Sequence, residues 1–324
     1  MGIGRLINKI QRNENLKNEF YEKYDSLLAV YNKFSFSSNK CMDEKQYEAV
    51  ITRWYHTIEK GLAYVDYRPG FGKKNIENLV NAMENYVNDG YSVDVFFFET
   101  ALCTLYMYIE KNRKCGIEDK ELEKRIEAMG GKANTYGGAL MFEPLSKTDV
   151  QALGYADFVC SRHSMRHFSK QTVEIDDVME ALNIAQHTPS ACNRQGWKAR
   201  IIMNKMVMTE VLKNQNGNEG FGHEFDKLIL ITADIRCFNR DRELFQAYID
   251  GGMYAQSVLN ALHYEHIASV PLSASLTHIQ EKEVRKLLNL HEAEVLIMFI
   301  GIGNYPDVCQ TTQSVRHTPC CEII

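Results

Sequence analysis

The sequence predicts an α+β protein in two parts: an all-helical N-terminal region over residues 1–148, then a region, 149–324, in which helices alternate with strands. Three observations predict this. Apolar residues recur at three- and four-residue spacing through 14–34, 43–63, 73–89, 92–113 and 118–129. Two nearly continuous apolar runs, KLILIT (227–232) and VLIMFIGI (295–302), come later and read as strands covered on both faces. Between the two textures, 130–148 holds Gly130, Gly131, Gly137, Gly138 and Pro144 without clear periodicity, as a linker does.

Each element has a local reason. In 43–63, Tyr47, Val50, Ile51, Trp54, Ile58 and Leu62 form one helical stripe. Asn13 and Asp43 suit N-caps, and Gly90 and Gly116 fall where helices should stop. The run 93–109 is apolar, but it contains Asp94 and Glu99 and falls short of the ~20 residues a membrane span needs. It reads as a core helix. In the second part KARIIM (198–203) is a third strand, and 175–187, 205–213, 241–264 and 278–289 are helices. No internal repeat or low-complexity tract interrupts them.

Composition narrows the function. Apolar residues at 45% and charged residues at 24% exclude wholesale disorder, and a net charge of −5 argues against nucleic acid as a partner. Nine cysteines lack any CxxC pair, and MGIGRLINKI lacks the apolar stretch of a signal peptide, so reduced thiols in a cytoplasmic protein are expected. The terminal CCEII is a poor prenylation box. His and Cys spacing points to no metal, and no Walker loop, HExxH, GxGxxG or GxSxG motif is present.

Four stretches carry chemistry. In SRHSMRHFS (161–169), Arg162, Ser164 and Arg166 alternate and share one face of an extended segment. Two forked guanidiniums flanking a hydroxyl make a cup for a phosphate, with His163 and His167 as further donors; a solvated basic turn is the other reading. TPSACNRQGW (188–197) follows a helix with a turn of small residues. Its Asn193 and Gln195 amides both donate and accept, which suits a flat heterocycle, or the stretch is a plain helix exit with Trp197 buried. In YIDGGMYAQSVLNALHYEHIASVPLSAS (248–275), Gly251 and Ala255 allow close packing of a helix or a ligand, and the following turn offers Ser273 and backbone N–H groups. In the last stretch, GIGNYPDVCQTTQSVRHTP, Arg316 is an isolated cation.

Taken in this order, the four stretches resemble the flavin-dependent nitroreductase family over roughly 158–324. RHSMRHF is similar to its opening motif, PSACNRQGW to its PSxxNxQPW motif, DGG…ALHYEHIASVPL to its central helix and turn, and GIGNYP…SVRH to its closing strand and basic tail. The resemblance implies a mixed β-sheet flanked by helices and FMN bound at a homodimer interface. It implies that Arg162, His163, Ser164 and Arg166 hold the phosphate and ribityl chain and that Arg316 closes on the phosphate. It further implies that Pro189, Ser190, Ala191 and Asn193 reach the flavin from the other subunit. Asn218 would meet the pyrimidine edge, and Pro271, Leu272, Ser273 and Ala274 would lie near the central ring nitrogen. FMN itself carries such redox chemistry, which accounts for the missing nucleophile and metal cluster; no catalytic residue is assigned. The implied activity is electron transfer from NAD(P)H through FMN to a small-molecule acceptor. A non-catalytic flavin-binding module or scaffold is the alternative.

The sequence departs from the family pattern at Gly196, where a proline is usual, at Phe221, where some members carry a second cation, and at Ser314, where some have lysine. Ahead of the flavin region, RWYHTIEKGLAYVDYRPGFGKK (53–74) is dense in polar groups: His56, Glu59, Lys60, Arg68 and Lys73. It is similar to a segment in nitroreductase-like proteins linked to surface-polysaccharide loci. It reads either as a capped helix with an ion-paired face or as a lid over the flavin.

Overall fold

The stripe Tyr47, Ile51, Ile58 and Leu62 requires a helix with one apolar face. That helix, α1 (Glu44–Leu62), is present in the computed structural model, which describes residues 24–30, 33–34, 42–239 and 243–324. Asp43 caps it as expected. Its side chain accepts the Gln46 N–H at 2.9 Å, and the Gln46 side chain accepts the Asp43 N–H in return. Asn13 and most of the expected helix 14–34 lie outside the described residues. The chain forms two units, one of Met1–Leu140 with Thr312–Ile324, the other of Met141–Thr311.

In the first unit α2 (Lys73–Asn88), α3 (Phe96–Lys114) and α4 (Lys120–Met129) follow α1. Ile51, Leu62, Leu79, Met83, Tyr86, Phe98, Leu105 and Ile126 interlock as their core. The apolar run 93–109 is α3, and no described helix is long and apolar enough to cross a membrane. Arg125 of α4 forks onto Glu84 at 2.8 and 2.7 Å and reaches Glu77 at 2.9 Å, pinning α4 to α2. The polar stretch 53–74 is knit into this packing. His56 Nδ1 lies 3.0 Å from Glu59, whose fully buried carboxylate also accepts the Gly138 N–H at 3.1 Å. Asn112 Oδ1 accepts from Gly70 N–H and the Tyr67 hydroxyl, both at 2.8 Å, which fixes the RPGFGK turn. Gly61 admits the Phe71 ring, which a Cβ would meet at 1.9 Å.

The second unit opens with two short helices, α5 (Lys147–Ala152) and α6 (Tyr155–Ser161). Then come α7 (Ile175–Ala185), β2 (Trp197–Ile202), α8 (Lys205–Asn214), β3 (Lys227–Asp234), α9 (Gln246–Tyr264), β4 (Ala268–Ser273), α10 (His278–Leu287) and β5 (Glu294–Gly303). The short strands β1 (Ala139–Phe142) and β6 (Cys309–Thr312) make a two-stranded sheet. Expected element limits agree with these to within a few residues, the start of the 241–264 helix lying partly outside the described residues.

The main sheet has the order β2-β3-β5-β4. All three of its pairings are antiparallel, where the family resemblance implied a mixed sheet. The physical reason is in the connections: α8 and its loop return the chain to the end where β2 stopped, and α10 does the same between β4 and β5. Ile229 and Ile231 of β3 face α7 and α9, packed with Val178, Ala181, Val258 and Leu262. Leu228 and Leu230 alternate to the opposite face and are also fully buried, so the uninterrupted apolar run reflects cover on both sides. β4 was expected to be part of a turn; Pro271 breaks the strand pattern there, and β4 is an edge strand, where proline is tolerated. Phe245, the N-cap of α9, and Ile249 and Met253 within it, four apart, are exposed together with Tyr248.

Gly301 marks the tightest point of the central strand β5. A Cβ there would meet the buried Phe225 ring at 2.4 Å. Gly301→Ala is expected to destabilise the protein by about 1–3 kcal/mol through overpacking, read as a lower urea midpoint with an unchanged slope.

Candidate functional site

After α6 the chain leaves regular secondary structure over 162–169, and Arg162, at the turn-out, has an extended backbone with φ −75° and ψ 124°. Met165 and Phe168 are buried and anchor the segment. Met165 N–H donates to Ser269 O of β4 at 2.9 Å, and Ser169 N–H to Asn304 O at 3.0 Å. Thr311 Oγ1 donates to Ser164 O at 2.8 Å. Glu224 Oε2 accepts from Phe168 N–H at 3.0 Å and pairs with His167 Nδ1 at 2.7 Å. Phe168 lies against Gly303, where a Cβ would clash with its ring at 2.7 Å. The backbone is thus fastened within and just after the Arg162–Ser164–Arg166 row, at Ser164, Met165, Phe168 and Ser169. His163 packs against Phe142, with ring centres 4.9 Å apart.

Beside this row lies the loop after α8. The Arg166 guanidinium sits 6.0 Å from the Phe221 ring centre, and Phe221, Phe225 and Phe168 form an edge-to-face series behind it. An aromatic face therefore stands beside the Arg166 guanidinium. Asn218 Nδ2 donates to Leu212 O at 2.8 Å, Gln215 O at 2.7 Å and Gln215 Oε1 at 3.0 Å, so its amide nitrogen closes the end of α8, and its Oδ1 lies against Gly222, where a Cβ would meet it at 2.5 Å. Buried Gln215 also donates to Ser273 O at 3.0 Å. Through it the structure brings Asn218 together with the Pro271–Ala274 stretch, and through Met165 and Phe221 with the arginine row.

The loop of Pro189, Ser190, Ala191 and Asn193 is built differently. Cys192, Asn193 and Gln195 have φ of 52°, 56° and 48°, a left-handed conformation unusual for such residues. Several contacts hold it. Asp250, buried in α9, accepts the Ala191 N–H at 3.0 Å and Gln246 Nε2 at 2.6 Å. Ser190 Oγ accepts the Gln195 N–H at 3.0 Å. Arg194 forks onto Glu243 at 2.8 and 2.6 Å, holding that carboxyl down at about 2. Trp197 is buried and stacks on Tyr254 with centres 4.8 Å apart and planes 6° from parallel.

The two groups sit at opposite ends of the sheet. Gly196 O accepts the Asp234 N–H at 2.8 Å, at the C-terminal end of β3. The arginine row lies at the other end, where Ser269 and Lys227 both pair with Ile302 of β5. Six strand steps between Lys227 and Ala233 correspond to roughly 20 Å. Arg316 belongs to the helical unit, and its guanidinium donates to Ser314 O.

Sequence reasoning passed over a buried polar network behind Arg162. Ser161 Oγ lies 2.8 Å from His263 Nε2, and His263 Nδ1 lies 3.2 Å from the Tyr305 hydroxyl. Burial, reinforced by the Arg162 charge, pushes His263 down to about 4. Burial raises the Tyr305 phenol and takes the Cys309 thiol up to about 12. At ordinary pH all three are neutral. Asp250 and Glu224 were missed too; the only local signal was an acid inside the otherwise small and apolar IDGG turn of α9. Among the described residues no group of His, Cys, Asp and Glu is placed to hold a metal ion.

A family model described as Nitroreductase family matches residues 159–304. No curated protein matches the chain. Among solved structures, an FMN-dependent nitroreductase from Clostridium difficile is similar at 18% identity and a TM-score of 0.39, covering 44% of this chain and 83% of its own. A nitroreductase family protein from Clostridium novyi has 12% identity and a TM-score of 0.43, with 48% and 87% covered. A second Clostridium difficile protein of that family has 19% identity and a TM-score of 0.41, with 47% and 84% covered.

Proposed function

From the premise that residues 159–304 are a nitroreductase-family domain, we propose that the protein is an FMN-dependent oxidoreductase. It takes electrons from NAD(P)H and passes them to a small-molecule acceptor, as a cytoplasmic homodimer. The observation that carries this reading is the Arg162–Ser164–Arg166 row, two guanidiniums and a hydroxyl on a backbone fastened to the sheet edge. That donor set fits a phosphate monoester: forked cations match its oxygens, and the Glu224 carboxylate is already engaged by His167 and the Phe168 N–H.

FMN, when bound, supplies the redox chemistry. The chain's own residues bind and orient it. Arg162, His163, Ser164 and Arg166 would hold the phosphate and ribityl end. Asn218 would meet the pyrimidine edge, and the Pro271–Ala274 stretch would offer its backbone to the ring. The Pro189–Asn193 loop sits at the far end of the sheet, so in this reading it serves a second copy's site, and the exposed Phe245, Tyr248, Ile249 and Met253 stripe supports association. Arg316 would add its charge to the phosphate.

The purified protein is expected to be yellow, to release FMN on denaturation, and to bleach anaerobically with NADH or NADPH. A colourless protein indifferent to added FMN would sink the proposal. The second reading is a flavin-binding module without turnover, a scaffold associated with polysaccharide biosynthesis. Phe221 in place of a cation and the separately cored helical unit favour it. A flavin band that persists with both nicotinamides would select it.

A further inference from the structure

Helix α6 delivers the chain to Arg162, yet it is weakly anchored. Among its seven residues none is buried, and Tyr155, Val159 and Cys160 are exposed. A helix this short has little stability of its own and must be held by tertiary contacts. Two residues of α9 hold it: the Tyr264 ring meets Phe158 edge to face with centres 6.2 Å apart, and His263 makes two contacts. The His263 ring lies against Phe158, centres 5.3 Å apart, and His263 Nε2 meets Ser161 Oγ at 2.8 Å. Ser161 is the last helical residue, and Arg162 is the cap, with φ −75° and ψ 124° turning the chain into the extended row.

The hydrogen-bond directions agree with a fixed imidazole. Ser161 Oγ also lies 3.0 Å from Phe158 O, to which it donates. It then accepts from His263 Nε2–H, which leaves Nδ1 to accept from the Tyr305 hydroxyl. Tyr305 is held in turn by the His266 ring, centres 5.0 Å apart. One terminal nitrogen of Arg162 is buried beside this group. The imidazole is therefore locked at both nitrogens, and the lock acts on the residue that precedes the first guanidinium of the row.

We propose that His263 is a positioning residue for Arg162: by clamping Ser161 and Phe158 it fixes where the short helix ends, and so where the guanidinium meets a phosphate. This rests on the reading of the row as a phosphate cup. His263 touches neither phosphate nor ring and acts only through Ser161.

The test compares FMN with riboflavin, which lacks the phosphate, by fluorescence titration of the full-length chain. His263→Phe keeps the ring contact and removes both hydrogen bonds. It is expected to weaken FMN about tenfold, the order of one hydrogen bond at a charged site, and to leave riboflavin unchanged. Ser161→Ala, a milder change, should weaken FMN in the same direction, and in the double variant the two effects should not add. His263→Gln, whose amide nitrogen can reach Ser161, should recover most of the loss. Equal weakening of FMN and riboflavin by His263→Phe would mean general loosening and would overturn the proposal, as would unchanged FMN binding in both single variants. If the unaltered protein binds neither ligand, the cofactor reading fails and the positioning role with it. If it binds FMN and the variants show no phosphate-selective loss, the positioning role alone fails.

Discussion

Exchanging Arg166 for alanine is expected to weaken FMN binding by about 10- to 100-fold, the range for a hydrogen bond to a charged partner of about 1.5–3 kcal/mol. Arg166 stands at the centre of the fastened segment, between buried Met165 and His167 with its Glu224 pair. Its guanidinium rests near the Phe221 face, so truncation removes charge without opening the core. The loss should be largest at low salt and should shrink for riboflavin, since the cation acts on the phosphate. Fluorescence titration at two ionic strengths checks this, and an unchanged affinity would remove the arginine row from the cofactor site.

The second large effect is on stability against pH. His263 is pushed down from 6.5 to about 4 by burial and by the Arg162, His163 and His266 charges; the other groups facing it, Ser161 and Tyr305, are neutral. The unfolded chain takes up this proton near 6.5, and the folded protein resists it until about 4. Stability therefore falls as pH drops through that window and stops falling, on this account, below it. At about 1.4 kcal/mol per pH unit the whole window is worth about 3 kcal/mol. Carboxylates also titrate there, so the comparison is between the unaltered protein and His263→Phe in urea at pH 7, 5.5 and 4.5. The difference between them should shift by about this amount in favour of the variant as pH falls. Parallel curves would show that His263 does not carry the effect.

Much of the fold was legible because it is periodic. The stripe of α1, the continuous run of β3 and the cap at Asp43 are each written within a few neighbouring residues. Segments without such a stripe were not legible. Helix α6 buries nothing and so has no apolar period, and β4 runs through Pro271, which reads as a strand breaker and is tolerated at the sheet edge. The antiparallel direction of the strand pairings depends on where α8 and α10 return the chain, which no local spacing encodes. The arginine row was readable because alternation in an extended segment is local. The His263–Tyr305 pairing joins residues 42 apart, and the left-handed Cys192, Asn193 and Gln195 are not glycines, so neither left a pattern. Asn218 was readable as a polar loop residue, but not that its amide nitrogen would be spent on the end of α8.

The helical unit is discontinuous in sequence. Its main body precedes Met141, but Thr312–Ile324 also belongs to it, with His317 lying against Phe96 and 3.5 Å from Glu48. During synthesis the second unit is contiguous and emerges whole, so it can fold as soon as Thr311 clears the ribosome. The helices of the first unit meet Thr312–Ile324 only after the whole intervening unit has been made, and closing that span carries a loop entropy that grows only logarithmically with its length. The last contacts of the helices made first can therefore form only after the second unit is able to fold.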